Sequence, residues 1–423
     1  MAKVYFIEEW REYCKAFSPD LPKPFIDITG ILWLGVVLGK KLRLLSVPGV
    51  ESRLPLVWAL LVSPPASMKT TAMQLLIQAL PSIAIPISDD EIEEMPLHLE
   101  LAGSPEGVLD TLSLLSGNSL LLWVEEFVSV LSATRRNTYA AEWRNFLLRA
   151  YHPSFSLTRS LRKQKIVVKD IMPFFITAIT PQNLMEFGGL EEVRTGFLTR
   201  FVPIWVENVK KTATVPNPED GDVMLMLLHD HAQQYISYPF RDFKFSQEIQ
   251  KRYNALLDEL SQREYQIEDE KVWAMRAFEF VPRASLLLAG VEVPPDDEEN
   301  IIPLQCWQEA EQIFRKYILP SIEKIMNFLT TTDNPQNLYP ELLRLIEWLI
   351  PRGEATRSEI LRRFRWRSRF LDELQRYGGD LGYLYVEDGY TSQLGGRPEQ
   401  KWKLLGLPEE LRKKFEDLEN EAN

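Results

Sequence analysis

Hydrophobic residues along this chain fall in short unbroken runs rather than in strict alternation. "PLVWALLVS" (55–63), "LLLWVEE" (120–126), "MPFFITAIT" (172–180) and "FVPIWVE" (201–207) are apolar at consecutive positions. That is the pattern of strands buried on both faces of a parallel sheet. Helix-period stretches at 69–80, 104–116 and 138–151 separate them. Strands alternating with helices predict an α/β domain with right-handed crossovers. Residues 1–52 read as helical. Within them "FIDITGILWLGVVLGKKLRLL" is apolar nearly all round before it turns basic, which predicts a helix packed against another domain. From about 219 to 330 the pattern is again helical, and "TTTDNPQN" (330–337) reads as a linker. Beyond it, "YPELLRLIEWLI", "TRSEILRRF" and "SRFLDELQRYG" form three amphipathic runs. "YLYVEDGYTSQLGGRPEQKWKLL" then reads as strand, turn, strand. This order predicts a winged helix-turn-helix over 338–406. The expected organisation is an N-terminal helical region (1–52), an α/β core (53–210), a helical lid (211–330), the winged helix domain, and a charged C-terminal helix (407–423).

Composition narrows the class. The chain is 45% hydrophobic and 26% charged, ordinary for a soluble globular protein. Cys14 and Cys306 lie far apart and give neither a disulfide framework nor metal-ligand spacing. The start has acids inside its apolar stretch and no small-residue cleavage site. The longest apolar run, 28–39, is too short for a bilayer. A cytoplasmic protein without membrane contact is expected. The net charge of −12 means that the chain as a whole does not attract nucleic acid, so any DNA contact must come from local basic patches.

The candidate chemistry begins at "SPPASMKTT" (63–71), which links the first apolar run to the first helix-period stretch. In a phosphate loop, backbone N–H groups curl around the phosphates at a helix N-terminus. The lysine reaches the β and γ phosphates, and the Ser/Thr hydroxyl binds Mg²⁺. Lys69 and Thr70 fit those roles, with Ser63, Pro64, Pro65, Ala66, Ser67, Met68 and Thr71 completing the candidate nucleotide site. Ser63 and Met68 stand where glycines are usual. A plain strand–turn–helix junction with a surface lysine would carry the same residues. Glu125 and Glu126 end the second run, where ATPases place an acid that orients Mg²⁺ and an acid that polarises the attacking water. The usual pair is Asp–Glu. Thr180 ends the third run and can sense the γ-phosphate. Arg200, just before the last run, can reach the nucleotide of a neighbouring subunit. Arg283, in the helical segment, can fold over the phosphates from the lid. For each arginine the plain alternative is a surface salt bridge.

The order of loop, Glu–Glu strand, threonine, arginine and helical lid resembles AAA+ ATPases. The resemblance implies an α/β fold: a RecA/AAA+-like P-loop ATPase core with N-terminal helices, a helical lid and a C-terminal winged helix-turn-helix. "GFLTRF" resembles the Ser-Arg-Phe motif of minichromosome maintenance helicases. More closely, residues 24–208 resemble an uncharacterised helicase-like family found beside primase modules in phage, plasmid and other mobile-element proteins. The matching stretches are "ITGILWLGVVLGKKLRL", "SPPASMKTT", "GSPEGVLDTL", "LLLWVEEF" and "TAITPQNL", followed by "GFLTRF". What this implies is an ATP- and Mg²⁺-dependent ring, a hexamer, assembled around DNA: a helicase or replication initiator. No carboxylate cluster for a primase stands outside the core, so any primase would be a separate protein.

Two basic segments are the candidate DNA contacts. "TRSLRKQKIVVKD" (158–170) reads as a hairpin. The resemblance places it in the ring's pore, where Arg159, Arg162, Lys163 and Lys165 would pair with single-stranded DNA phosphates without reading sequence. From Arg352 to Arg369 there are seven arginines against Glu354 and Glu359, with Trp366 among them. Arg365, Arg367 and Arg369, with Arg397 and Lys401 of the wing, are candidates for duplex DNA, although winged helices also serve protein contacts. The competing reading is a DNA-binding assembly or regulatory protein with a degenerate ATPase core. A third is a transcription factor in which only the C-terminal module matters.

Overall fold

The computed structural model describes residues 6–47, 54–88, 91–102, 105–131, 138–152, 154–160, 165–207, 209, 215–265, 267–333, 338–364, 366, 368–388 and 400–406. The chain is mixed α/β and divides into two compact units, Met1–Met326 and Asn327–Asn423. Among the described residues no helix is long and apolar enough to cross a membrane. The charged helix expected over 407–423 lies outside the described residues.

The first unit is built on a sheet of five parallel strands. They are β1 (Trp58–Val62), β2 (His98–Glu100), β3 (Ser119–Val124), β4 (Lys165–Ile179) and β5 (Val202–Trp205). Their spatial order is β2-β3-β4-β1-β5, every neighbouring pair parallel. Burial explains the unbroken apolar runs: every residue of β1 is buried, and Leu120, Leu121 and Leu122 of β3 are fully buried on consecutive positions. β2 and the antiparallel hairpin before it, Ser82–Ser88 with Glu91–Pro96, were not legible in the sequence. The hairpin's second arm interleaves its apolar positions with acids, and Ile92 there is exposed.

β4 is longer than the run that predicts it. Its first part pairs antiparallel with Phe155–Ser160, with Arg159 opposite Ile166 and Ser160 opposite Lys165. The two arms of the expected basic hairpin are therefore paired, and its turn, 161–164, lies outside the described residues. Within the strand Asp170 adopts a left-handed φ of 50°, where the pairing passes from Phe155–Ser160 to the sheet. Its carboxylate is held by Lys40 and by the Ser154 hydroxyl at 2.6 Å. Beyond it the strand enters the sheet.

The N-terminal region is helical over Phe6–Phe17 and Lys23–Leu38. The second helix is buried on all sides, as its all-round apolar pattern requires. It presses against β4 closely enough that a Cβ on Gly35 would lie 2.2 Å from the Phe174 ring. The basic continuation departs from the expected helix. Gly39–Lys41 is a single tight turn, and Leu42–Leu44 is a strand paired in parallel with Arg241–Phe243. Two-residue periodicity wins there: Leu42 and Leu44 are buried while Arg43 faces out and pairs with Asp242 at 2.6 Å.

Helices Lys69–Ala79, Pro105–Leu114 and Thr138–Ala150 lie between the strands, and after β5 the unit continues with Pro218–Ile236, Gln247–Gln262, Glu268–Ala277, Phe280–Glu292 and Leu304–Ile313. A buried ionic cluster ties the last of these to the N-terminus. Arg11 donates to Asp27 and to Glu309, both at 2.7 Å, and also pairs with Glu8. Burial disfavours charge on Arg11, but its bonds to Asp27 and Glu309 outweigh this and raise its pKa. Burial pushes the Asp27 carboxyl up against the pull of Arg11.

The second unit runs helix Leu338–Leu349, strand Glu354–Thr356, helix Arg357–Phe364, helix Ser368–Asp380, and strands Leu384–Asp388 and Gln400–Leu404. The last strand lies between the other two and is antiparallel to both. Leu342, Leu345, Leu349, Ile360, Leu371 and Trp402 form its buried core.

Removing one member of a buried ion pair strands the other's charge and typically costs about 3–5 kcal/mol. Arg11→Ala, which leaves the buried Asp27 carboxylate without its cation, is expected to lose stability on that scale in denaturant unfolding. A loss under about 1 kcal/mol would mean that the Arg11 cluster is dispensable.

Candidate functional site

The loop 63–68 emerges from the C-terminal end of β1 and leads into the helix Lys69–Ala79. Its backbone takes left-handed values at two non-glycine residues, Ala66 (φ 59°) and Met68 (φ 66°, ψ 19°). This conformation normally selects glycine because a Cβ crowds the following carbonyl. The missing glycine before Lys69 therefore does not remove the geometry glycine would serve; Met68 adopts it under strain. Ser63, at the other glycine position, is fully buried, and its hydroxyl has no hydrogen-bond partner among the described residues.

Lys69 begins the helix and turns inward. Its Nζ donates to Ser63 O at 2.6 Å, to Pro64 O at 2.7 Å and to Ser67 Oγ at 3.2 Å. Ser67 Oγ donates in turn to Pro64 O at 2.6 Å. The ammonium thus holds the loop in a tight curl. Burial pulls the Lys69 pKa below its ordinary value, and the nearby Glu126 carboxylate opposes that shift. Pro65 and Ala66 are exposed at the loop's crest, while Pro64, Met68, Thr70 and Thr71 are half-buried.

Glu125 and Glu126 follow β3 and are exposed. Thr70 Oγ1 donates to Glu125 Oε1 at 2.9 Å, so residues 55 apart meet at the edge of the sheet. A hydroxyl beside a carboxylate offers the hard oxygen donors that Mg²⁺ takes, with phosphate and water supplying the remaining ligands. These residues fit the ion. Thr180 follows β4, whose Ile179 lies opposite Val62 of β1, and Ile179 O accepts from Ser63 N–H at 3.2 Å. Thr180 Oγ1 accepts from Asn183 N–H at 3.2 Å and caps the short turn that follows. Lys69, Thr70, Glu125, Glu126 and Thr180 therefore share the C-terminal edge of the sheet.

The two candidate arginines do not. Arg200 precedes β5, at the N-terminal edge. It donates to Gly196 O, and its guanidinium carbon lies 5.7 Å from the Tyr151 ring centre. Arg276 approaches the same ring at 5.8 Å and donates to Thr199 Oγ1 at 3.4 Å. Leu56, Tyr151, Thr199, Arg200, Arg276 and Arg283 line one cleft there. Arg283 is a correction to the sequence-based expectation. It is 6% exposed and donates to Leu56 O at 2.8 Å and to Tyr151 Oη at 3.0 Å, and it pairs with Glu279. Leu56 precedes β1 and the loop follows it, so at about 3.3 Å per residue the two ends stand about 20 Å apart. Arg283 braces the start of β1 and does not fold over the loop. Tyr151 and Arg276 were missed; neither stands in a recognisable motif.

Of the expected DNA contacts, Arg162, Lys163, Arg365, Arg367 and Arg397 lie outside the described residues. Arg159, Lys165 and Arg369 are placed on their elements, but their side chains are outside the description. Lys401 pairs with Glu354 at 2.8 Å on the neighbouring strand. Searches for relatives add nothing to this geometry: no protein-family model matches the chain, and no curated protein matches it.

The left-handed backbone at Met68 separates substitutions by shape. Met68→Val, β-branched, is expected to cost about 1–3 kcal/mol, whereas Met68→Gly stays within about 1 kcal/mol of the parent. Equal losses in denaturant unfolding would overturn the left-handed assignment.

Proposed function

We infer that the chain is an ATP-dependent DNA-binding motor with an AAA+-like core, a ring helicase or replication initiator. The observation that carries this reading is the convergence of Lys69, Thr70, Glu125, Glu126 and Thr180 at one edge. In open parallel sheets ligands bind outside the carboxyl ends of the strands, where these residues stand. In this reading the loop N–H groups and Lys69 hold the β and γ phosphates. Thr70 and Glu125 would hold Mg²⁺, which would offset charge on the phosphates. Glu126 would polarise the attacking water and take its proton as the water oxygen bonds the γ-phosphorus and the bond from that phosphorus to the ADP oxygen breaks. Arg200, at the opposite edge, cannot reach its own chain's loop. It serves a neighbouring copy, which requires an assembly such as a hexamer. The hairpin around 160–165 supplies backbone-directed contacts to single-stranded DNA in the pore. The order of elements in the second unit supports a winged helix as a further DNA contact.

One observation favours the alternative, a DNA-binding scaffold with an inactive core. The Lys69 ammonium donates to three oxygens of its own loop, and a phosphate must displace some of these bonds.

The deciding measurement is ATP hydrolysis with and without single-stranded and duplex DNA. Turnover stimulated by DNA is expected, with Lys69→Ala, Glu126→Gln and Arg200→Ala each reducing it at least about 100-fold while the fold is retained. Parent-like turnover in Glu126→Gln would refute the site, and no turnover in the parent would leave the scaffold reading.

A further inference from the structure

The second unit carries a connected strip of half-exposed aromatic rings lying over its core. Trp348 and Phe364 meet edge to face at 5.6 Å and 81°. Phe364 stacks on Trp366 at 4.3 Å and 13°, and Trp366 meets Phe370 at 5.4 Å. All four rings are only partly buried against the core. Arginines flank them. The Arg352 guanidinium lies 4.2 Å from the Trp348 ring centre, and that of Arg344 lies 5.9 Å from Phe364. Arg344, Arg352, Arg362 and Arg363 are exposed.

Packing alone does not require this composition. A core rim that only sheds water can be aliphatic, and it gains nothing from like charges crowded around it. Here the local charge is reversed from that of the whole chain, with seven arginines against two glutamates between Arg352 and Arg369. Glu354 is already engaged by Lys401 and Lys403, and Glu359 accepts from Thr356 N–H at 2.8 Å. Among the described residues Arg352, Arg362 and Arg363 make no close ion pair; Arg352 donates to Trp348 O at 3.1 Å, and the bonds from Thr356, followed by the charges of Arg362 and Arg352, hold the Glu359 carboxyl below its ordinary pKa.

Rings and exposed cations together match a polymer that offers flat faces and phosphates in alternation. We propose that this strip is a stacking platform for the unpaired bases of single-stranded nucleic acid. Trp366 and Phe370 take base faces, and Arg352, Arg362 and Arg363 take the phosphates. A closed duplex presents its base edges in the grooves and its phosphates outside, and has no free face to give these rings. The platform thus assigns the second unit a substrate class different from major-groove duplex recognition. It rests on reading that unit as a nucleic-acid contact and is independent of the ATPase chemistry.

The test uses the full chain and an oligothymidylate carrying 5-iodouracil, with photo-crosslinks mapped by mass spectrometry. Crosslinks within 364–370 are expected. In fluorescence anisotropy, Trp366→Ala should weaken oligothymidylate binding about tenfold or more and Trp366→Phe should restore most of it. An abasic oligomer of the same length should bind the parent as weakly as oligothymidylate binds Trp366→Ala. Crosslinks confined to other segments would overturn the platform, as would equal affinity for the abasic oligomer. The crosslink map on the unmodified chain decides the matter even if Trp366→Ala fails to fold. It stands or falls separately from the Glu126→Gln turnover result, because it reads base contact and not hydrolysis.

Discussion

Parallel strands cannot be joined by a tight turn; the chain must cross a face of the sheet before each return. That constraint organises the whole first unit. With β2, β3, β4, β1 and β5 all parallel, every strand delivers its last residue to the same edge. Ser63, Glu125 and Thr180 follow β1, β3 and β4, and the order β3-β4-β1 makes them neighbours. The same rule sends the residues before each strand to the opposite edge. Leu56 and Arg200 stand there, with Tyr151, Arg276 and Arg283 packed around them. One sheet thus separates two polar groups on a single chain: a lysine with acids at one end and three arginines at the other.

The loop at the acidic edge keeps a costly backbone. Left-handed conformations at ordinary residues persist only where the surroundings fix them. Here Lys69 holds the carbonyls of Ser63 and Pro64 while Ser67 closes a second bond to Pro64. The curl is therefore maintained by side-chain hydrogen bonds and by the start of a helix, where glycine would have allowed it at no steric cost. Two prolines at 64 and 65 lower the entropy of the unfolded loop and help in the same direction.

At the other end of the chain the energetic logic differs. The second unit's core is small, and its outer layer of Trp348, Phe364, Trp366 and Phe370 is shared between packing and the surface. Arginine fits such a boundary because its planar guanidinium stacks on a ring while its N–H groups stay in water. In a chain of net charge −12, the segment from Arg352 to Arg369 is a local reversal of sign, with seven arginines against two glutamates.

The strands β1, β3 and β5, the sheet half of β4 and the main helices were legible because burial on both faces leaves an unbroken apolar run, a local signal. The residues ending those runs were legible with them, which is why Lys69, Thr70, Glu125, Glu126 and Thr180 could be named in advance. β2 is three residues long and carries no such run. The strand at Leu42–Leu44 is set by its partner Arg241–Phe243, almost two hundred residues away, so helical continuity misled there. By itself, the sequence determined which residues lie at strand ends and which segments carry charge. Only the tertiary structure decided which ends share an edge, that Arg283 braces the start of β1, and that Met68 takes the conformation of a glycine. Strand order and loop closure depend on contacts between residues remote in sequence, and no local pattern encodes them.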